Sequence, residues 1–342
     1  MNEHKILHVM ILDKFLAPYI DFVDEHFGRA EHHYVFITSE KYEYGLAPEH
    51  KVEFLHTDDD IFITLHKYMK MAKKIILHGL WRDKVDILLY LDQELLKKCY
   101  WIMWGGDFYF PETKSKIRHE IIKNMGHFIT YIKGDYELAK KWYGARGEYH
   151  ECFMYPSNLY KEYDIKPKEH RTINIQLGNS ADPTNNHMEI LQKLIKYKDE
   201  NIQIFAPLSY GDVAYAEAVI AKGRELFGEK FIPLTEFMPL EKYLELLNEI
   251  DIAIFAHKRQ QAMGNTIALL GLGKKVYIRS DITPWQLFKD IDVKVFDVQN
   301  IEFDLIDEKT KKENQTKIKE YFLKEKYLQQ LKSLLLRHSV WQ

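Results

Sequence analysis

Residues 5–12, Lys-Ile-Leu-His-Val-Met-Ile-Leu, form a near-continuous apolar run of the kind carried by parallel strands buried on both faces. Short runs of the same kind recur at 33–38, 51–56, 74–78, 100–104, 128–132 and 149–154. After a gap they return at 172–177, 202–206, 231–234, 250–256, 275–279 and 293–297. Between them, apolar residues repeat every three to four positions at 84–98, 136–143, 187–198, 214–227, 240–248, 265–271 and 285–290, which is the helical period. The chain therefore alternates strand and helix twice over, which predicts two open, mostly parallel α/β sheets.

The pattern lapses between Pro156 and Arg171, where polar residues are bracketed by prolines. This predicts an N-terminal Rossmann-like domain over 1–156, a linker over 157–171 and a C-terminal Rossmann-like domain over 172–305. The remaining 306–342 reads as a C-terminal segment able to cross back to the first domain, with one long lysine-rich helix over 310–338. Two Rossmann-like domains facing each other across a cleft describe the α/β architecture called GT-B. In it a ligand binds at the carboxyl ends of the strands.

Composition narrows the picture without changing it. The 342 residues are 46% hydrophobic and 29% charged, so the chain can bury sizeable cores. A net charge of −3 provides no global field for nucleic acid, and no nucleic-acid partner is expected. Cys99 and Cys152 lie in no metal or redox spacing and read as buried free thiols. The N-terminus has no signal-peptide pattern, and no apolar run approaches the ~20 residues of a membrane helix. A cytoplasmic chain that does not span the membrane is expected.

The candidate chemistry sits where strand runs end. After 172–177 comes Gly178-Asn179-Ser180, then Asp182, Asn185 and His187 at a helix start. Glycine lets backbone approach a phosphate, and free N–H groups at a helix start carry partial positive charge. A second such turn follows 250–256, with Arg259, Gln260 and Gln261 ahead of Gly264, Asn265 and Thr266. Arginine offers a fork of donors to a diphosphate, and the glutamines suit sugar hydroxyls. Tyr210, after 202–206, could stack on a nucleobase. Two anion-friendly turns in one half point to a nucleotide diphosphate ligand and hence a nucleotide-sugar enzyme.

In the first half, Asp13 follows the first strand run, His78-Gly79 the fourth, and Trp104-Gly105-Gly106-Asp107-Phe108-Tyr109 the fifth. Aromatic faces suit sugar rings, and a carboxylate suits removal of an acceptor hydroxyl proton. Asp107 and Asp13 are the candidate catalytic bases, with His78, Trp104 and Tyr109 as candidate acceptor contacts. Asp58-Asp59-Asp60 has the form of a metal-diphosphate site, but the cationic phosphate candidates favour a metal-free mechanism, and no metal or cofactor is expected. No strand run is followed by Gly-x-Gly-x-x-Gly, which lowers a dinucleotide dehydrogenase reading. The C-terminal helix, basic and amphipathic, could lie on an anionic bilayer or pack across both domains; packing is favoured.

Together these residues resemble the TDP-N-acetylfucosamine:lipid II N-acetylfucosaminyltransferase family, the 4-α-L-fucosyltransferases of glycosyltransferase family 56. The resemblance rests on His8-Val9 with Asp13, His78-Gly79, Trp101 and Trp104 through Tyr109, Gly178 through His187, Pro207 with Tyr210, Phe255 with Arg259-Gln260-Gln261, and Trp285-Gln286. It implies a metal-independent transferase of GT-B fold on the cytoplasmic face of the inner membrane. Such an enzyme moves Fuc4NAc from a TDP-sugar donor to an undecaprenyl-diphosphate-linked saccharide in enterobacterial common antigen assembly. By position, Gly178, Asn179, Ser180, Tyr210, Arg259, Gln260 and Gln261 are then donor-side, and Asp107 and Asp13 acceptor-side. The chain departs from the family pattern in two places. Ala262 stands where a glycine is expected, and Lys14-Phe15-Leu16 replaces a polar, histidine-containing stretch. The alternatives are a UDP-sugar transferase or nucleotide-sugar epimerase of the same fold, and a non-catalytic glycan-binding protein.

Overall fold

The computed structural model describes residues 5–162, 171–236, 238 and 240–336. The chain divides into two compact units, Met1–Leu159 with Lys324–Gln342, and Tyr160–Leu323. Most of the expected linker falls on residues 163–170, outside the described ones.

The first unit is built on β1 (Ile6–Met10), β2 (His32–Phe36), β3 (Glu53–Phe54), β4 (Lys74–His78), β5 (Cys99–Ile102), β6 (His127–Ile129) and β7 (Glu148–His150). They form one sheet in the order β3-β2-β1-β4-β5-β6-β7, parallel throughout. The second unit holds β8 (Ile173–Leu177), β9 (Ile202–Pro207), β10 (Phe231–Leu234), β11 (Ile252–Phe255), β12 (Lys275–Ile278) and β13 (Phe296–Asp297). Its order is β10-β9-β8-β11-β12-β13, again parallel. In each sheet the chain builds outward from a central strand and then returns to its other side. The order reverses between β1 and β4 in one unit and between β8 and β11 in the other. At such a point adjacent loops leave in opposite directions and open a crevice at the strands' carboxyl ends.

The central strands are apolar because both faces are covered. Leu7, Val9, Ile75, Leu77 and Trp101 lie in the first core, and Ile175, Leu177, Ile204 and Ile254 in the second. Two edge strands are shorter than their apolar runs: 51–56 yields a two-residue β3, and 293–297 a two-residue β13. Cys99 and Cys152 are buried and free.

Three helical segments were not anticipated, Leu16–Phe27, Lys116–Asn124 and the stretch from Asp60 to Met71. The first does carry the signal: Leu16, Tyr19, Ile20 and Val23 follow helical spacing and are buried, with Pro18 tolerated in the first turn. The single C-terminal helix expected over 310–338 is two helices, Glu308–Tyr321 and Lys324–Leu336, broken at Phe322 and Leu323. Residues 337–342 lie outside the described ones. The second helix packs on the first unit, where the Tyr327 hydroxyl donates to the Met154 carbonyl at 3.0 Å and Gln330 accepts from the Phe153 N–H at 3.0 Å. Its Tyr327, Leu331, Leu334 and Leu335 are buried, so its apolar face is occupied by the protein itself. Among the described residues, no helix is long and apolar enough to cross a membrane.

Candidate functional site

In the first unit the crevice between β1 and β4 gathers residues from four strand ends. Asp13 follows β1 and is half-buried. Burial raises its carboxyl above the ordinary range, against the pull of Lys14 and the backbone N–H groups of Lys14 and Phe15. A partly open carboxylate of raised basicity suits a general base.

Around it stands an aromatic group. Phe15 stacks on Tyr155, with centroids 5.6 Å apart, and meets Trp104 edge-on at 5.8 Å. Trp81 lies 5.7 Å from Trp104, and its indole N–H is buried with no partner. Gly79 makes room for it: at φ +79°, a Cβ there would lie 2.1 Å from the Trp81 indole nitrogen.

His78 does not face an open site. It is a link in a buried chain in which His32 Nδ1 meets His8 Nε2 at 2.9 Å, His8 Nδ1 meets His78 Nε2 at 3.2 Å, and His78 Nδ1 meets the Tyr155 hydroxyl at 3.0 Å. Trp104 Nε1 closes the chain by donating to Tyr155 at 2.8 Å. Burial lowers the rings, His78 to about 3 and His32 to about 4, and His8 falls well below its usual value. All three are neutral at pH 7, so each ring donates with one nitrogen and accepts with the other. Fixing one tautomer then fixes the next.

Asp107, the other candidate base, is enclosed. One carboxylate oxygen accepts from Trp101 Nε1 at 2.8 Å and Leu80 N–H at 3.1 Å, the other from Trp104 N–H at 3.1 Å. At 1% exposure it has no open face for a substrate proton, and its visible task is to tie the turns after β4 and β5 together. Arg118 braces the same turn, donating to the Asp107 carbonyl at 3.0 Å while paired with Asp86. Tyr109 is also buried: its hydroxyl donates to Asp135 at 2.7 Å and its ring belongs to the core. The ring is therefore not a sugar platform, because the Gly105-Gly106 turn folds it inward. Of the acid triplet, Asp60 accepts backbone N–H groups from His56 and Thr57, and Asp58 pairs with Lys84. The N–H of Asp60 is in turn taken by the Thr57 hydroxyl at 3.1 Å, so the segment is a structured turn ahead of a helix.

The second unit's crevice is built differently. Gly178 ends β8 at φ +69°, and a Cβ there would come within 2.5 Å of His187 and 2.7 Å of Asn185. Asn185 Oδ1 accepts the Asn179 N–H at 2.9 Å and the His257 Nε2 at 2.8 Å. Both of His257's contacts are amide oxygens, so that ring donates. Burial and the nearby Arg259 lower it to about 3 and keep it neutral. Asn185 Nδ2 donates to Ser180 Oγ at 3.2 Å. Asn179 Nδ2 donates to the Tyr210 hydroxyl at 3.1 Å, and a bridge between Ala181 and Gly211 zips the turn after β8 to the turn after β9. The Thr184 hydroxyl donates to Gln261 Oε1 at 2.7 Å, joining the turn after β11. Gly178, Asn179, Ser180, Tyr210, Gln260 and Gln261 are thus brought into one set of knitted loops.

Arg259 is half-buried and donates to the Gln260 carbonyl, while Gln260 buries an amide oxygen that has no partner. The helix Met263–Gly271 starts beside them with no side chain capping its first turn, leaving the N–H groups of Met263, Gly264 and Asn265 for a ligand or water. Thr266 is spent within the helix, donating to the Ala262 carbonyl at 3.0 Å. Ala262 itself adopts φ +55°, the left-handed conformation that a glycine would take without strain.

Sequence reasoning missed Tyr155, Trp81, His32 and His257 as members of these clusters. Tyr155 and His257 stand just beyond apolar runs, the position that singled out the others. Nothing in the sequence pattern links His32 to His78.

The fold is shared with solved glycosyltransferases of GT-B type. Anabaena HepE in complex with UDP and glucose is 12% identical with a TM-score of 0.71, over 97% of this chain and 99% of that one. A glycosyltransferase from Rickettsia africae is 11% identical with a TM-score of 0.64, over 99% and 100%. The lipopolysaccharide outer core galactosyltransferase WaaB, in its apo form, is 10% identical with a TM-score of 0.64, over 97% and 99%. The model of the 4-alpha-L-fucosyltransferase family, glycosyl transferase group 56, matches residues 15–339, and the chain belongs to that family.

Proposed function

We propose that this group-56 glycosyltransferase moves Fuc4NAc from a TDP-sugar to an undecaprenyl-diphosphate-linked saccharide, at the cytoplasmic face of the inner membrane, in surface polysaccharide assembly. Family membership supports glycosyl transfer, and the sequence's resemblance to TDP-Fuc4NAc transferases at Gly178 through His187 and Arg259-Gln260-Gln261 supports this donor and acceptor. The observation that carries the assignment of roles is the position of both clusters. Each stands at the strand-order reversal of its own sheet, one offering a carboxylate among aromatics, the other an arginine and free helix N–H groups.

Asp13 takes the proton of the acceptor hydroxyl as its oxygen bonds to the sugar's anomeric carbon. The bond from that carbon to the diphosphate breaks, and TDP leaves with the electron pair. Arg259 and the first-turn N–H groups of Met263–Gly271 offset the charge that grows on the leaving diphosphate. Phe15, Trp81 and Trp104 give apolar faces to the acceptor sugar. With charge offset by protein donors, the transfer needs no divalent cation at the diphosphate.

The test is nucleotide binding followed by turnover. Melting temperatures would be measured with TDP, UDP, GDP, CMP and ADP in EDTA, then TDP release would be followed with TDP-Fuc4NAc and a lipid-linked saccharide. Stabilisation by TDP in EDTA with acceptor-dependent release is expected. Selective stabilisation by UDP would move the donor to another sugar, and release that ignores the acceptor would favour an epimerase or hydrolase.

A further inference from the structure

At the opposite, amino ends of the strands in the first unit, His127 opens β6 and Glu148 opens β7, and the two are register partners. His150 lies two residues beyond Glu148, which places both side chains on one face of the strand. His127 Nδ1 and His150 Nε2 are 3.0 Å apart, and Glu148 Oε2 is 3.5 Å from the first and 3.7 Å from the second. The three ligand atoms all lie within 4.8 Å of one another.

We propose that His127, Glu148 and His150 bind a divalent transition-metal ion, zinc by preference, that clips the short edge strand β7 to β6. The separations are those of a tetrahedral face. Zinc bonds of about 2.0–2.1 Å give ligand–ligand edges of about 3.3 Å, and a cation fits about 2 Å from all three atoms. Two imidazoles and one carboxylate form a donor set for zinc, whereas magnesium and calcium prefer oxygen ligands. Glu148 is 67% exposed, so the fourth position opens to water.

The surroundings orient the first ligand. Tyr100 stacks on His127 at 3.9 Å, which holds the ring's plane against β5. Lys74 is the neighbouring positive charge; its ammonium lies over the Tyr100 ring and donates to the Leu334 carbonyl, and the Glu148 carboxylate offsets it. His127 and Glu148 open their strands and His150 closes the three-residue β7, so the ion acts on the sheet edge and not on sugar transfer.

The experiment strips the full chain with EDTA, removes the chelator and titrates zinc by calorimetry, with melting temperature as a second readout. One ion per chain and a raised melting temperature are expected, and cobalt in its place should give the visible spectrum of a four-coordinate site. His150→Gln and Glu148→Gln should each weaken zinc at least about tenfold while melting like the wild type in EDTA. Glu148 is exposed enough that its variant decides the matter if His150→Gln does not fold. Absence of stoichiometric binding by the wild type, or equal affinity in the folded variants, would overturn the site.

Discussion

The two crevices occupy equivalent places in equivalent sheets, yet they are made of different chemistry. The first is walled by Phe15, Trp81, Trp104 and Tyr155, backed by neutral histidines, and offers one half-open carboxylate. The second has side-chain amides, hydroxyls and one guanidinium, with a helix start left uncapped. Fold alone fixes where a ligand meets each sheet; the side chains at the strand ends decide which ligand it is. Aromatic walls suit a sugar that must be held while its hydroxyl is deprotonated. Donor-rich loops suit a leaving group whose negative charge grows.

Acid should separate the two units most strongly. His8, His32, His78 and His127 in the first unit, and His187 and His257 in the second, are all depressed, chiefly by burial. The unfolded chain binds their protons near pH 6.5 while the folded chain does not, so their stabilising effect is full above 6.5 and is lost as pH falls toward 4. Each can cost up to about 1.4 kcal/mol per pH unit in that window. Denaturation midpoints should therefore drop between pH 7 and 5. Tryptophan fluorescence should lead the change, since Trp81, Trp101, Trp104 and Trp142 all belong to the first unit. A constant midpoint from pH 7 to 5 would show that these rings are not held neutral.

Next in size is the split between base and donor site. Asp13→Asn should lower kcat by about a hundred- to ten-thousand-fold and leave TDP binding unchanged. Arg259→Ala should weaken TDP by about ten- to a hundred-fold, the worth of a charge-assisted contact. Calorimetry on both variants checks the pair, and an Asp13 variant with lost nucleotide affinity would collapse the division of labour. Asp107→Asn should act mainly on stability, costing about 1–3 kcal/mol in denaturant unfolding because an amide nitrogen would face buried N–H donors. Full stability with lost turnover would return the base role to Asp107. The smallest effect sharpens the donor side: Ala262→Gly relieves a left-handed alanine and should raise stability by about 0.5–1 kcal/mol, read as a higher melting temperature. A drop would mean that the alanine methyl packs better than its backbone is strained.

Much of this was legible before the fold was seen. Ile6 to Met10, Lys74 to His78 and Ile252 to Phe255 announce strands because parallel strands buried on both faces must be apolar throughout. Gly178-Asn179-Ser180 and Arg259-Gln260-Gln261 were found because they follow such runs. Asp107 and Tyr109 met the same rule, yet the structure turns both inward. A strand-end position says that a residue is near the crevice, not which way its side chain points. That direction depends on the Gly105-Gly106 turn and on Arg118, eleven residues beyond Asp107.

By itself, then, the sequence determined the two α/β units and the strand ends that carry chemistry, because hydrophobic period and turn residues act locally. Only the tertiary structure decided the rest. It linked His32, His8 and His78 to Tyr155, set His127 against Glu148 and His150, and left Asp13 open while closing Asp107. These pairings join residues 21 to 77 positions apart, and no local period encodes them. They arise where parallel strands come into register and where burial forces each polar group to find a partner or an opening.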